Sequence, residues 1–235
     1  MHNNGGAPIA TAELAVVFLD MSGYTALTEA HGDYIAARLA EDFSALTGRL
    51  IADEDRLVKS IGDAVLFTSP TARGALRSLN RIVRATHDEG PYPLLRGGVA
   101  YGTVLLSRGD IYGRTVNIAA RLAAEAAPGQ TIATQPVAAA AAEWGVAVTS
   151  LGQTTLRNMS QPLAIFAVDL DSDCHCGQID PVCRMRLPRG TSAITRSGLG
   201  TTYRFCSASC SQRFTAQLGS SSVRRPSPEE SEAWS

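Results

Sequence analysis

Two apolar runs, residues 56–61 (RLVKSI) and 64–68 (AVLFT), are separated by nothing but Gly62-Asp63. Two turn-forming residues between strand-like runs specify a tight β-hairpin, and the hairpin constrains what can surround it. A short apolar run, 14–19 (LAVVFL), precedes it and ends in Asp20, with Gly23 following as a turn residue. Asp33 is placed to cap a helix in which Ile35, Leu39, Phe43, Leu46 and Leu50 recur at three- and four-residue steps. Beyond the hairpin, Ala75, Leu79, Ile82 and Val83 mark a second helix over 71–87, and strand material returns over 94–106 around Gly97, Gly98 and Gly102. The order strand, helix, strand, strand, helix, strand predicts an α+β, ferredoxin-like (βαββαβ) domain, with helices on one side of an antiparallel sheet. A further helix is expected over 116–127, stopped by Pro128-Gly129, and short strands around 130–134, 146–151 and 163–169 complete the domain.

Cysteine placement divides the chain. All five cysteines (Cys174, Cys176, Cys183, Cys206 and Cys210) follow residue 173 of 235. Charge divides it at the same place. Residues 1–173 hold 13 cationic and 18 acidic side chains, a net of −5, and residues 174–235 hold 8 and 4, a net of +4. The resulting units are a domain over 13–170, a cysteine-rich module over 174–218 and a Ser/Pro/Glu-rich tail over 219–235 that reads as disordered. An overall charge of −1 excludes a strongly basic nucleic-acid binder. No run approaches the ~18 apolar residues that a membrane span needs, and no cationic-then-apolar leader opens the sequence. The expectation is a cytoplasmic chain whose thiols stay reduced and serve as metal ligands.

Asp20 closes the first strand and Asp63 sits in the hairpin turn, so this topology brings the two carboxylates to one end of the sheet. Such a pair holds two divalent cations and drives in-line displacement at phosphorus; position alone also allows both to be plain turn residues. Asn117 and Arg121 stand four apart on one helix face among apolar Ile118, Ala119 and Ala120, and an arginine there suits charge on a transferring phosphoryl group.

FLDMSGYT (18–25), KSIGDAVLF (59–67) and GDIYGRTVNIAARL (109–122) resemble the three signature stretches of class III nucleotide cyclase catalytic domains, in matching order and spacing over 13–170. The resemblance implies that Asp20 and Asp63 hold two Mg²⁺ or Mn²⁺ ions, with the Met21 carbonyl assisting one. It implies that the backbone of Ser22, Gly23, Tyr24 and Thr25 cradles the triphosphate. Lys59, the only lysine among 21 cationic residues, and Asp110 would read the purine, and this pair argues for ATP. Asn117 would orient the ribose, Arg121 would stabilise the transition state, and Arg157 matches a triphosphate-binding position. The family builds its site between two catalytic domains. A chain with both residue sets is therefore expected to be a homodimeric adenylate cyclase making 3′,5′-cyclic AMP and pyrophosphate. Guanylate or relaxed purine specificity, and a metal sensor on a non-catalytic cyclase-like scaffold, are the other readings.

Residues 180–214, with DPVCRM and YRFCSASCSQRF, resemble the YHS domain, a small metal-binding module. Cys183, Cys206, Cys210, Tyr203, Phe205 and Phe214 match its pattern, and Arg184 stands where glycine is usual. Three thiolates leave one coordination position, for which Cys174, His175 and Cys176 lie just upstream. Zinc, copper(I) or another soft metal is expected, and its occupancy is a candidate regulator of the cyclase part. His175 by itself reads as a bystander, and His2, His31 and His87 carry no assigned role.

Overall fold

The structure is a computed structural model that describes residues 10–88, 90, 92–170, 178–187, 194–198 and 201–221. The first strand, β1 (Ala10–Met21), leads into helices α1 (Tyr24–His31) and α2 (Asp33–Leu50). The hairpin β2 (Arg56–Ile61) and β3 (Ala64–Ser69) follows, then α3 (Ala72–Asp88), β4 (Leu95–Ser107), β5 (Asp110–Tyr112) and α4 (Arg114–Glu125). The domain finishes with β6 (Thr131–Thr134), α5 (Gln135–Glu143), β7 (Val148–Thr154) and β8 (Leu163–Val168). The sheet runs β2-β3-β1-β4-β6-β8-β7, with β5 folded back on β4. The Gly62-Asp63 hairpin forms as its sequence requires, with Ile61 paired to Ala64 and Gly62 at a φ of 60°.

Helices cover both faces of the sheet, not one. Val17, Leu19, Val65 and Phe67 pack with Phe43 and Leu46 of α2 and with Leu76, Leu79 and Ile82 of α3. Val16, Leu66 and Ala100 point the other way and pack with Ile118, Ala119 and Leu122 of α4. The cause lies in the strand itself: LAVVFL is a continuous apolar run, as a strand buried on both faces requires, and does not alternate. The close seat of α4 depends on Gly98. A Cβ there would lie 2.1 Å from the Ala119 carbonyl oxygen and 2.3 Å from the Ala123 amide nitrogen.

Two details at α2 depart from expectation. Gly32, not Asp33, is the cap, and no side-chain capping bond forms. Asp33 instead occupies the first turn, where its charge complements the helix dipole. Ile35 remains 49% exposed, while Ala36, Phe43, Leu46 and Thr47 form the buried face. Helices α1 and α5 are short elements to which no periodic pattern had pointed.

The cysteine-rich part consists of the paired β9 (Gln178–Ile179) and β10 (Arg186–Leu187), the hairpin β11 (Ile194–Gly198) and β12 (Thr201–Phe205), and α6 (Ala208–Ser221). So small a unit buries little apolar surface by itself. Its core is shared: Cys183, Met185, Phe205 and Cys210 pack with Leu27, Ala30 and Ala36 of α1 and α2. A bridge between Pro93 and Met185, and donation from the Arg186 N–H to the Tyr92 carbonyl at 3.2 Å, anchor its other side. Helix α6 continues through Gly219 to Ser221; residues 222–235 of the expected tail lie outside the described residues. Among the described residues, no helix is long and apolar enough to cross a membrane.

Candidate active site

Asp20 lies near the end of β1, directly opposite Ala64 of β3 on one side and Arg96 of β4 on the other. Register therefore brings it beside Asp63, the residue before Ala64. The Arg96 guanidinium grips the Asp20 carboxylate with two donors, Nε at 2.7 Å and Nη2 at 2.6 Å from Oδ2. Arg96 was not anticipated; its signal is a lone charge near the start of an otherwise apolar strand, and only the β1–β4 register gives that charge a meaning. Burial, followed by the hydrogen bond that the protonated Asp63 donates to Asp20 and by repulsion from that carboxylate, pushes the Asp63 carboxyl up to about 7. Two carboxylates that share a proton in this way form an oxygen-rich donor set suited to a hard divalent cation, which would take the proton's place. Burial first, and then the charges of Asp63 and Asp33, raise the Tyr24 hydroxyl above its ordinary range.

The shared proton has a measurable consequence. In the folded, metal-free chain Asp63 keeps its proton up to about pH 7, against an ordinary value of 3.8. The folded state thus holds one more proton than the unfolded state between those values, and its stability falls as pH rises toward 7. The group is only half-buried, so solvent screening limits the effect to about 1 kcal/mol, or ~3 °C in Tm. In excess chelator, Asp63→Asn is expected to melt above the wild type at pH 8 and level with it at pH 4. A Tm difference that does not change with pH would refute the shared proton.

The loop after Asp20 is shaped by Gly23, held at a φ of 84° at the start of α1. The first helical hydrogen bond runs from the Leu27 N–H to the Gly23 carbonyl at 3.0 Å, so the N–H groups of Tyr24, Thr25 and Ala26 have no helical acceptor. Ser22 differs from expectation: its N–H is already donated to the Leu94 carbonyl at 2.8 Å. The N–H groups at this helix start that have no helical acceptor are thus those from Tyr24 onward, and no acidic side chain occupies the first turn of α1.

Lys59 and Asp110 meet although 51 residues apart, with Nζ donating to Oδ2 at 2.5 Å. Arg56 holds the same turn through the Gly109 carbonyl, and Asp110 also accepts from the Ile111 N–H at 2.8 Å. The Lys59 hydrogen bond and then the Ile111 N–H hold the Asp110 carboxyl below its ordinary range.

Asn117 and Arg121 share a pocket with Gly113, Arg114 and the segment Asn158, Met159, Ser160 and Gln161. Arg121 Nε is buried and donates to no partner, an orphaned donor that calls for an acceptor from outside the chain. Neither Asp20 nor Asp63 lines this pocket. Arg157 is exposed beside it, and the neighbouring Asn158 supplies the wall instead.

This geometry has known counterparts. No family model matches the chain. A curated but uncharacterised protein of Mycobacterium tuberculosis is 37% identical over 169 residues, which are 68% of this chain and 42% of that protein. An adenylate cyclase of Glutamicibacter nicotianae is 37% identical over 138 residues, 58% of this chain and 34% of that protein. The chain thus spans about two fifths, or less, of the length of these curated relatives. Among solved structures, an adenylate/guanylate cyclase/hydrolase of Silicibacter pomeroyi superposes with a TM-score of 0.61 at 28% identity, covering 68% of this chain and 98% of that one. The chain carries a nucleotide cyclase fold. The adenylyl cyclase CyaB of P. aeruginosa shares it, with a TM-score of 0.58 at 19% identity over 69% of this chain and 96% of that one.

A second cluster lies where the cysteine-rich module meets the cyclase-fold domain. Cys206 Sγ is 3.5 Å from Cys183 Sγ and 3.7 Å from Cys210 Sγ. The fourth member is His31, at the end of α1, whose Nε2 lies 3.5 Å from Cys206 Sγ and 3.7 Å from Cys210 Sγ. The sequence assigned His31 no role, and the fold places its imidazole within this cluster of possible metal ligands. It carries no motif, and only the fold brings it 152 residues along the chain to Cys183. Cys174, His175 and Cys176, the expected source of a fourth ligand, lie outside the described residues. Asp180, fully buried, braces the site by accepting from the Val182 N–H at 2.8 Å, the Cys183 N–H at 3.3 Å and the Cys206 N–H at 2.8 Å. Burial opposes its ionisation, yet these donors hold its carboxyl below the ordinary range. A hydrogen bond from Cys183 draws the Cys206 thiol down to about 6, whereas burial pushes Cys210 up to about 11.

Proposed function

We propose that the chain is the catalytic unit of an adenylate cyclase, converting ATP to 3′,5′-cyclic AMP and pyrophosphate at a homodimer interface. The observation that carries the reading is the Asp20–Asp63 pair, gripped by Arg96 and sharing a proton at the mouth of a loop rich in free N–H groups. Relatives that bear the name adenylate cyclase support it.

In the reaction, the ribose 3′-oxygen attacks the α-phosphorus, the bond to the pyrophosphate oxygen breaks and pyrophosphate departs, and the 3′-hydroxyl proton passes to water. Asp20, Asp63 and the Met21 carbonyl would hold two Mg²⁺ or Mn²⁺ ions, which neutralise the polyphosphate and acidify the 3′-hydroxyl. Arg96 holds Asp20 in place for that task. The N–H groups at the start of α1, from Tyr24 and Thr25 onward, receive phosphate oxygens, and Ser22 and Gly23 shape the turn that exposes them. Arg157, exposed beside the Asn117–Arg121 pocket, is available to the triphosphate. Lys59 donates to an adenine ring nitrogen and Asp110 accepts from the exocyclic amine; each orients the other in the meantime. Asn117 positions the ribose, and the orphaned Arg121 Nε–H is kept for charge developing at the α-phosphate. Because the Asn117–Arg121 pocket lacks the carboxylates, two copies related by a two-fold axis would complete two sites.

Mass-spectrometric product analysis with ATP and GTP tests the reading. Cyclic AMP is expected as the main product, and no cyclic nucleotide from either substrate would end it. Lys59→Glu combined with Asp110→Cys is expected to shift the ATP/GTP preference toward GTP by at least ~10-fold, since a polar contact set matched to one base rejects the wrong pattern of donors. An unchanged ratio would remove this pair from purine reading.

A further inference from the structure

We propose that His31, Cys183, Cys206 and Cys210 bind one zinc ion that clamps the cysteine-rich module onto the helix carrying the phosphate-binding loop. Three of these ligands belong to the module and one to the cyclase-fold domain, so the site exists only when the two are docked.

The geometry is that of a tetrahedral centre. With Zn–S near 2.3 Å and Zn–N near 2.0–2.1 Å, the edges of the ligand tetrahedron measure about 3.5–3.8 Å. Four of the six edges measure 3.5, 3.7, 3.5 and 3.7 Å, and all four donor atoms lie within 4.8 Å of one another. Three thiolates with an imidazole in tetrahedral array select zinc over magnesium or calcium, and a complete set of four protein ligands marks a structural site. Cys183 and Cys210 are fully buried; three sulfurs so closely packed cannot all ionise unless a cation compensates them. Asp180 positions the two ligand-bearing backbone segments from behind, as partners of metal sites do.

The position of the site gives it a consequence. His31 ends the same eight-residue helix that begins at Tyr24, after the Gly23 turn. At the other end of α1 the module makes a second contact through Arg184, the residue directly after the ligand Cys183. Its side chain fills the space a Cβ on Gly23 would need, with Cγ at 2.6 Å and Cβ at 2.8 Å from that position. Arg184 has a φ of 63°, a left-handed conformation that a non-glycine residue adopts only where its surroundings impose it. With Ser22, Gly23 and Ile179 it walls a cavity beside the loop. The zinc thus holds the C-terminal end of α1 while Arg184 lies across its N-terminal end and adds a cation beside the phosphate donors. Loss of zinc would withdraw Arg184 and loosen the Gly23 turn. The metal site itself stands apart from the cyclase reading; its effect on nucleotide binding rests on that reading.

The experiment uses the full chain. Purified wild type is expected to hold one zinc per chain, and its cobalt-substituted form to show the intense d–d absorption of a tetrahedral sulfur-rich site. His31→Ala is expected to weaken zinc binding at least ~100-fold and to change that spectrum, while His31→Cys restores binding with a more sulfur-rich spectrum. The double variant Cys174→Ser/Cys176→Ser is expected to bind as wild type. Wild-type zinc affinity in His31→Ala, or loss of zinc in Cys174→Ser/Cys176→Ser alone, would overturn the assignment of the fourth ligand. For the second half, zinc removal and Arg184→Gly are each expected to weaken binding of a fluorescent ATP analogue by roughly 10-fold, with zinc content unchanged in Arg184→Gly. Unchanged nucleotide affinity in both would overturn the link between clamp and loop.

Discussion

Asp63→Ala and Arg121→Ala are each expected to lower cyclic AMP formation at least about a thousandfold, and their co-expression is expected to restore it in part. Asp63 supplies half of a proton-sharing carboxylate pair, and without it the donor set for two cations is incomplete. Arg121 keeps a buried N–H without an acceptor; a donor reserved for transition-state charge is worth ~10²–10³ in rate or more. If each site combines the carboxylates of one chain with the Arg121 of another, a mixed dimer contains one doubly defective site and one intact site. Equal co-expression then yields half mixed dimers with one working site each, about a quarter of wild-type activity. Activity no higher than that of either parent would exclude a site shared between chains. Both substitutions lie outside the apolar cores, so far-UV circular dichroism and Tm are expected to stay close to wild type apart from the pH-dependent effect at Asp63.

Gly98→Ala carries the second large effect, this time through packing. The added methyl would meet the Ala119 oxygen at 2.1 Å, the Ala123 nitrogen at 2.3 Å and the Leu122 carbonyl carbon at 2.9 Å. All three are backbone atoms of α4, so no rotamer change relieves the contact and the helix must lift by about 1 Å or more. The expected cost is about 3 kcal/mol, or ~6–12 °C in Tm for a chain of this size. Because α4 carries Asn117 and Arg121, displacement on that scale is expected to reduce kcat about 100-fold. Gly62 offers the control: nothing lies within 4 Å of a Cβ there, so Gly62→Asn, which tolerates the left-handed φ of 60°, is expected to leave α4 and the Tm nearly unchanged. Equal losses in the two variants would show that the α4 contact is not the cause.

Much of the fold was legible because its signals are local. A two-residue Gly-Asp turn between strand-like runs leaves few options but a hairpin, and α2 and α3 announced themselves by periodic apolar residues. The side of the sheet on which each helix lies was not legible. LAVVFL is compatible with a strand buried on both faces, but which helix covers the second face depends on the chain after residue 113, and on a glycine whose importance is the absence of a side chain. Short α1 has too few turns for a periodic signal, and α5 (QPVAAAAAE) is apolar all round, which erases periodicity.

The candidate site divides in the same way. Asp20, Asp63, Lys59, Asp110, Asn117 and Arg121 could be singled out because each lies in a recognisable local stretch. Arg96 and His31 could not. A carboxylate's counter-ion and a metal's fourth ligand are chosen by proximity in space, and neither residue type nor spacing marks them in advance. Ser22 is the converse case: its motif marks it as a phosphate donor, yet tertiary pairing with Leu94 has already taken its N–H.

By itself, then, the sequence determined the hairpin, the alternation of strands and helices, the residue types of the candidate site and the separation of a thiol-free domain from a thiol-rich module. These follow from short-range steric and hydrophobic patterns. Only the tertiary structure decided that α4 covers the second face of the sheet, that Arg96 holds Asp20, and that His31 turns to the three cysteines. Those outcomes depend on strand register and on the docking of two units, where contacts between residues far apart in the chain are selected by packing as a whole.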